Sequence, residues 1–135
     1  MNIYFDFKVL IIILALIILD YVFLGKIMAS FYKKELGSLA RKKGNALKPR
    51  LLPSFIVYLF MVIGMVVFVL PLIIGESAII SFIWGAAFGF ILYGVYDLTN
   101  YAIIKKWSLK LTIVDICWGT ILCGLISLLL RFIIH

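Results

Sequence analysis

Apolar residues run through four stretches of the chain, 9–25, 51–75, 77–104 and 111–130, in which aspartate is the only charge. Each stretch is near or above the ~17–25 residues that cross a hydrocarbon layer. The pattern predicts four transmembrane helices, over about 8–27, 51–73, 79–104 and 109–131, in an all-α integral membrane bundle forming one domain over 1–135. Between the first two stretches, in "SFYKKELGSLARKK", Tyr32, Leu36 and Leu39 recur at helical spacing among lysines. That spacing suits a short helix over 30–43 lying in an anionic headgroup layer; a solvated basic loop is the alternative.

Composition agrees with the pattern. A hydrophobic fraction of 66% and a mean hydropathy of +1.24 exclude a soluble domain. The first apolar stretch has a poor basic start and no A-x-A-like cleavage site, so it is expected to persist as the first helix and not as a cleaved signal. Eight of the 13 basic residues, Lys26, Lys33, Lys34, Arg41, Lys42, Lys43, Lys48 and Arg50, lie between helices one and two. Lys105, Lys106 and Lys110 lie between helices three and four, and Glu76 is the only charge between two and three. The positive-inside rule then predicts both basic loops in the cytoplasm and both termini outside, the arrangement of a multi-pass membrane protein. The net charge of +7 is explained by that topology, with membrane lipids as partners and no nucleic acid. Lys33, Lys34, Arg41, Lys42 and Lys43 are the expected membrane-surface contacts.

Once the topology is set, polar residues can be ranked by depth. Asp97 lies about seven residues before the basic end of helix three, or about 10 Å into the membrane. Asp115 is about six residues into helix four, Asp20 about six before Lys26, and Tyr58 about seven past the start of helix two, by the rise per residue of a helix. All four helices therefore place a polar group at one level. A central aspartate costs roughly 2.5–3.5 kcal/mol on insertion scales, so the three acids should face inward. In helix three Gly85, Gly89, Tyr93, Asp97 and Tyr101 recur at i, i+4 and form one ridge, with Asn100 beside it. In helix four Thr112, Asp115 and Gly119 share a face, with Trp118 adjacent. The expectation is a polar pocket open toward the basic loops, lined by Asp20, Tyr58, Tyr93, Asp97, Asn100 and Asp115. Gly85, Gly89 and Gly119 serve helix packing.

No lysine or arginine shares that level, although Lys26 could snorkel back toward it. Crowded carboxylates without a basic partner hold protons or a cation. An all-oxygen ligand set favours a hard ion, Mg²⁺, Ca²⁺ or Na⁺. Zinc and haem fit poorly because the only histidine is His135, and no Ser or Cys has a base beside it for nucleophilic catalysis. Cys117 and Cys123, six residues apart in helix four, are read as packing residues, and Trp84 and Trp107 as interfacial anchors.

The segments "LDYVFLG", "FYKKELG", "LLPSFIVYLFMVIG", "GAAFGFILYGVYDLTNYA" and "WSLKLTIVDICWGT" resemble a family of small four-helix bacterial membrane proteins known only as a domain of unknown function. The YDLTN block (96–100) and the VDxxWG block (114–119) carry most of the likeness. Phe23 departs from it, standing where the family pattern usually has tryptophan. The resemblance implies a bacterial inner-membrane location and the four-helix fold, and no activity. From the residues, the favoured reading is proton- or cation-linked transport or binding of a small ligand, with no catalytic residue and with a homodimer as a way to build a pathway. The alternatives are a Mg²⁺-dependent lipid-modifying enzyme, an accessory protein of a larger membrane complex, or aspartates that serve as interhelical hydrogen-bonding groups alone.

Overall fold

In the computed structural model, which describes residues 3–134, four helices are long and apolar enough to cross a membrane: Phe7–Ile27, Leu51–Ile73, Ala78–Ile103 and Leu109–Ile134. His135 lies outside the described residues. The first span is α1 (Ile3–Val22), whose end widens into a π-helical turn, Phe23–Ile27. The second is α3 (Leu51–Gly64), a π-helical turn over Met65–Val69, and α4 (Leu70–Ile73). Pro71 supplies a reason for that turn. It lacks an N–H and its ring would press on the carbonyl four residues back, and a wider turn relieves both. Spans three and four are the uninterrupted α5 (Ala78–Ile103) and α6 (Leu109–Ile134).

The connections divide the molecule into two ends. At one end residues 74–77 make a tight turn. Gly75 adopts a φ of 79°, which glycine tolerates best, and the Ser77 hydroxyl caps α5 by accepting from the Ile80 amide at 3.3 Å. Arg131 Nε ties the far end of α6 to this turn by donating to the Glu76 carbonyl at 2.8 Å. At the other end lie both basic connections. The longer one contains α2 (Ala29–Leu36), a 3₁₀ turn (Gly37–Leu39) and a hairpin of β1 (Lys42–Lys43) with β2 (Ala46–Leu47), registered Lys42 to Leu47 and Lys43 to Ala46. The helix expected over 30–43 thus stops at Leu36. Gly37 at φ 53° and Gly44 at φ 61° are the reason: each takes a left-handed conformation that ends a helix or closes a two-residue hairpin turn.

Ile12, Leu16, Met61, Val62, Met65, Val69, Ile73, Leu122, Ile126 and Leu130 form the apolar core. It fills the half of the bundle nearest the 74–77 turn and leaves the half nearest the basic loops to polar groups. Outward-facing residues such as Phe60, Phe68, Ile91, Val95 and Phe132 are more than half exposed. In a bilayer those faces meet lipid, where exposure of apolar surface carries no penalty.

The α5–α6 pair is the tightest in the fold. A Cβ at Gly85 would stand 2.4 Å from the Cys123 carbonyl oxygen, and one at Gly89 would stand 2.2 Å from that of Gly119. Backbones approach this closely only where neither helix places a side chain between them. Gly85 and Gly89 are therefore occupied within the chain by α6, while a Cβ at Gly94 would meet open space. Buried Cys123 lies in the seam, while Cys117 is exposed on another face.

Candidate functional site

Asp20 sits where α1 begins to widen and is 7% exposed. Its two oxygens accept from two other spans: the Tyr58 hydroxyl of α3 at 2.6 Å and the Trp118 indole N–H of α6 at 2.8 Å. Trp118 is held for this by Phe23, whose ring stacks on it at 3.9 Å and 8°. A carboxyl group buried between helices is tolerable when donors serve its oxygens, and this one is so supplied.

Asp115, one turn before Trp118 on α6, is half-buried. Its donor comes from outside the four spans: the Tyr32 hydroxyl of α2, at 2.7 Å. Tyr32 is 7% exposed, with its ring against the edges of Phe23 and Phe31. Burial, and then the charge of Asp115, push the Tyr32 hydroxyl above the ordinary tyrosine range, so it keeps its proton and remains a donor. The short α2 is fixed over the bundle by two further ties. Ser108 Oγ donates to Glu35, and Lys33 Nζ donates to the Asn45 carbonyl of the hairpin at 2.7 Å. Sequence reasoning put Tyr32 on a membrane-surface helix and missed this role; nothing in a tyrosine among lysines points to an acid 83 positions away.

Asp97 is different from both. It is completely buried, and among the described residues neither of its oxygens meets a hydrogen-bond donor. The carboxyl of Asp115 is close enough to act electrostatically on it, and on Asp20 as well. Tyr93 lays its ring on Gly119, where a Cβ would stand 2.1 Å from Cδ2. Asn100 is half-buried one turn beyond Asp97 and lies beside Tyr96. Tyr101, the last residue of the expected ridge, is 45% exposed.

The ring of Phe23 joins the donors of two acids, meeting Tyr32 edge-on and stacking on Trp118, and a cavity of about 810 Å³ lies outside the bundle, against the hairpin. The described residues contain no group of three His, Cys, Asp or Glu side chains able to hold a metal. Lys26 does not snorkel to the acids; its ammonium lies over the Tyr21 ring, 5.8 Å from the centroid. At the edge of the level Thr112, almost fully buried, accepts from the Trp107 indole at 3.2 Å and donates to the Ser108 carbonyl. Trp107 therefore also braces α6, while Trp84 is 43% exposed. Of the expected surface contacts, Lys34, Arg41, Lys42 and Lys43 are exposed and Lys33 is engaged with the hairpin.

No curated protein and no solved structure matches the chain. The blocks that place the acids, YDLTN on α5 and VDxxWG on α6, fall within a stretch, residues 6–131, that matches the family model DUF2177, described as a predicted membrane protein. The chain belongs to that family and is a multi-pass membrane protein.

Proposed function

We propose that the Asp97–Asp115 pair of this inner-membrane protein takes up and releases one proton, and that this proton is coupled to binding or moving a small ligand. The observation that carries the reading is the burial of Asp97 with both oxygens unserved by any protein donor. An isolated buried carboxylate costs several kcal/mol, and a second carboxyl beside it adds repulsion unless the two share a proton. Acids inside membrane spans are functional by default, and here Asp20 already has two donors and Asp115 one. The two-carboxylate geometry favours a proton over Mg²⁺ or Ca²⁺, which need about six or more oxygen ligands. The basic loops, with 11 of the 13 Lys and Arg residues by position, support a cytoplasmic placement of the α2 end and both termini outside. Tyr32 then covers the pair on the cytoplasmic side.

The test is the melting temperature of the detergent-purified protein from acid to alkaline pH and across Na⁺, Mg²⁺, Ca²⁺ and Mn²⁺, with the infrared band of a protonated carboxyl recorded alongside. The proton reading expects that band in the native protein, its loss in Asp97→Asn, and no cation response. A cation that raises the melting temperature of the native protein but not of Asp97→Asn would replace the proton by that ion. If neither readout distinguishes the variant, the pair serves only in packing.

A further inference from the structure

The cavity of about 810 Å³ against the hairpin is lined by Arg41, Lys42, Lys48, Arg50 and the first residues of α3, from Leu51 to Pro53. We infer that it seats the phosphate of an anionic phospholipid. The chemistry of the lining comes first: four cationic side chains converge on one concave surface. Strand geometry selects among the lysines, because Lys42 and Lys43 are successive residues of β1 and point to opposite faces. Lys42 lines the cavity and Lys43 does not. Among the described residues no carboxylate forms an ion pair with the cluster. Asp20, Asp97 and Asp115 are inside the bundle, Glu35 is taken by Ser108, Glu76 is in the turn at the opposite end, and Asp6 is near the start of α1.

The position of the cavity identifies the anion. Its apolar edge is Leu51 and Leu52, 84% and 70% exposed, which begin a span of 23 residues. The cavity therefore lies where the charged loop meets the hydrocarbon-facing helix, the height of a lipid phosphate, with leucines below it to meet the first methylenes of the acyl chains. The start of α3 adds donors. Arg50 at its N-cap makes no side-chain cap, so the amides of Leu51 and Leu52 have no partner from the helix itself, and the positive end of the helix dipole favours an anion. Pro53 occupies a first-turn position where a missing N–H costs nothing. Arg41 and Arg50 can each present two parallel N–H groups to phosphate oxygens.

The experiment uses the full-length protein in a neutral detergent and reads melting temperature and native mass spectra against added phosphatidylglycerol, phosphatidylcholine, or inorganic phosphate. Phosphatidylglycerol should stabilise saturably and remain bound in the gas phase, with phosphatidylcholine and inorganic phosphate without effect. Lys48→Gln should weaken that response about fivefold and the triple variant Arg41→Gln, Lys48→Gln, Arg50→Gln about a hundredfold, following the usual worth of each basic residue near a lipid surface. Lys34→Gln with Lys43→Gln, which removes charge without touching the cavity, should leave the response intact, and melting in neutral detergent alone controls for folding of every variant. Equal losses from the two sets would reduce the effect to bulk charge and overturn the site. An equal response to phosphatidylcholine, or an unchanged triple variant, would also overturn it; an equal response to inorganic phosphate would make it a free-anion site.

Discussion

Asp20 and Asp97 lie in one level of the same bundle, are both buried, and are treated in opposite ways. Around Asp20 three spans converge with donors: Tyr58 and Trp118 fill its two oxygens, and Phe23 stacks on the indole to hold it. Around Asp97 no described residue donates to either oxygen, and the group that acts on it is another acid. A buried acid kept for structure is normally surrounded by donors, because the unmet desolvation cost falls on stability. Asp20 fits that account. Asp97 does not, and the contrast is the reason the proposed proton site is placed at Asp97 and Asp115 and not on all three acids.

The comparison is broken most forcefully through the seam that creates it. Gly89→Leu would thrust a side chain onto the Gly119 carbonyl and Cys123, parting α5 from α6 and Asp97 from Asp115. Overpacking of a contact with no room to relax should cost about 3 kcal/mol, the upper part of the usual range. Chemical denaturation in detergent, or a drop in melting temperature, measures it. Next in size, Asp20→Ala strands the Tyr58 hydroxyl and the Trp118 indole together. With membrane hydrogen bonds worth about 0.6–1.7 kcal/mol each, the loss should be about 2 kcal/mol. A native-like melting temperature for Asp20→Ala would mean that the donor-rich corner is not a brace.

How much of this was legible in the sequence divides along the same line. Runs of apolar residues located the four spans to within a few residues, because hydropathy and length are local properties. Counting from the basic loops brought Asp20, Tyr58, Asp97 and Asp115 to one level, since rise per residue is nearly invariant in a helix. Which partner each acid meets was not legible. Depth says nothing about rotation, so the indole of Trp118 could be matched to Asp115, its neighbour one turn away, as readily as to Asp20 across the bundle. Tyr32 escaped altogether, because it enters the level from a connection whose fold depends on Gly37, Gly44 and three side-chain ties. Nor does polarity report that Phe23 stacks on Trp118 and meets Tyr32 edge-on, joining the donors of two acids.

Tyr32 gives a sharper and smaller test. Tyr32→Phe keeps the ring packed and removes only the donor to Asp115, so the loss should be about 1 kcal/mol. The pH dependence has a definite sign. A hydroxyl whose folded value lies above its unfolded value of 10.0 contributes fully at pH below that value and progressively less as pH rises past it. The native protein should therefore lose part of its advantage over Tyr32→Phe only at alkaline pH above about 10, the ordinary tyrosine range. An advantage that fades already at neutral pH would place the titration on the acid pair and not on the phenol.

The smallest expected effect is the most telling. Asp97→Asn is isosteric, and because neither Asp97 oxygen accepts a bond from the protein, no donor is stranded by the change. The new amide would supply an N–H toward Asp115, replacing a shared proton by a fixed donor. Stability should then change by less than about 0.5 kcal/mol, or rise, while Asp20→Asn, which puts an amide N–H against one of two existing donors, should lose about 1 kcal/mol or more. Melting curves of the two variants in the same detergent decide between them. Equal losses would mean that Asp97 is held by contacts as specific as those of Asp20. A silent Asp97→Asn beside a damaged Asp20→Asn would leave Asp97 as an acid that the fold carries at full burial without drawing stability from it, the condition under which a proton can come and go.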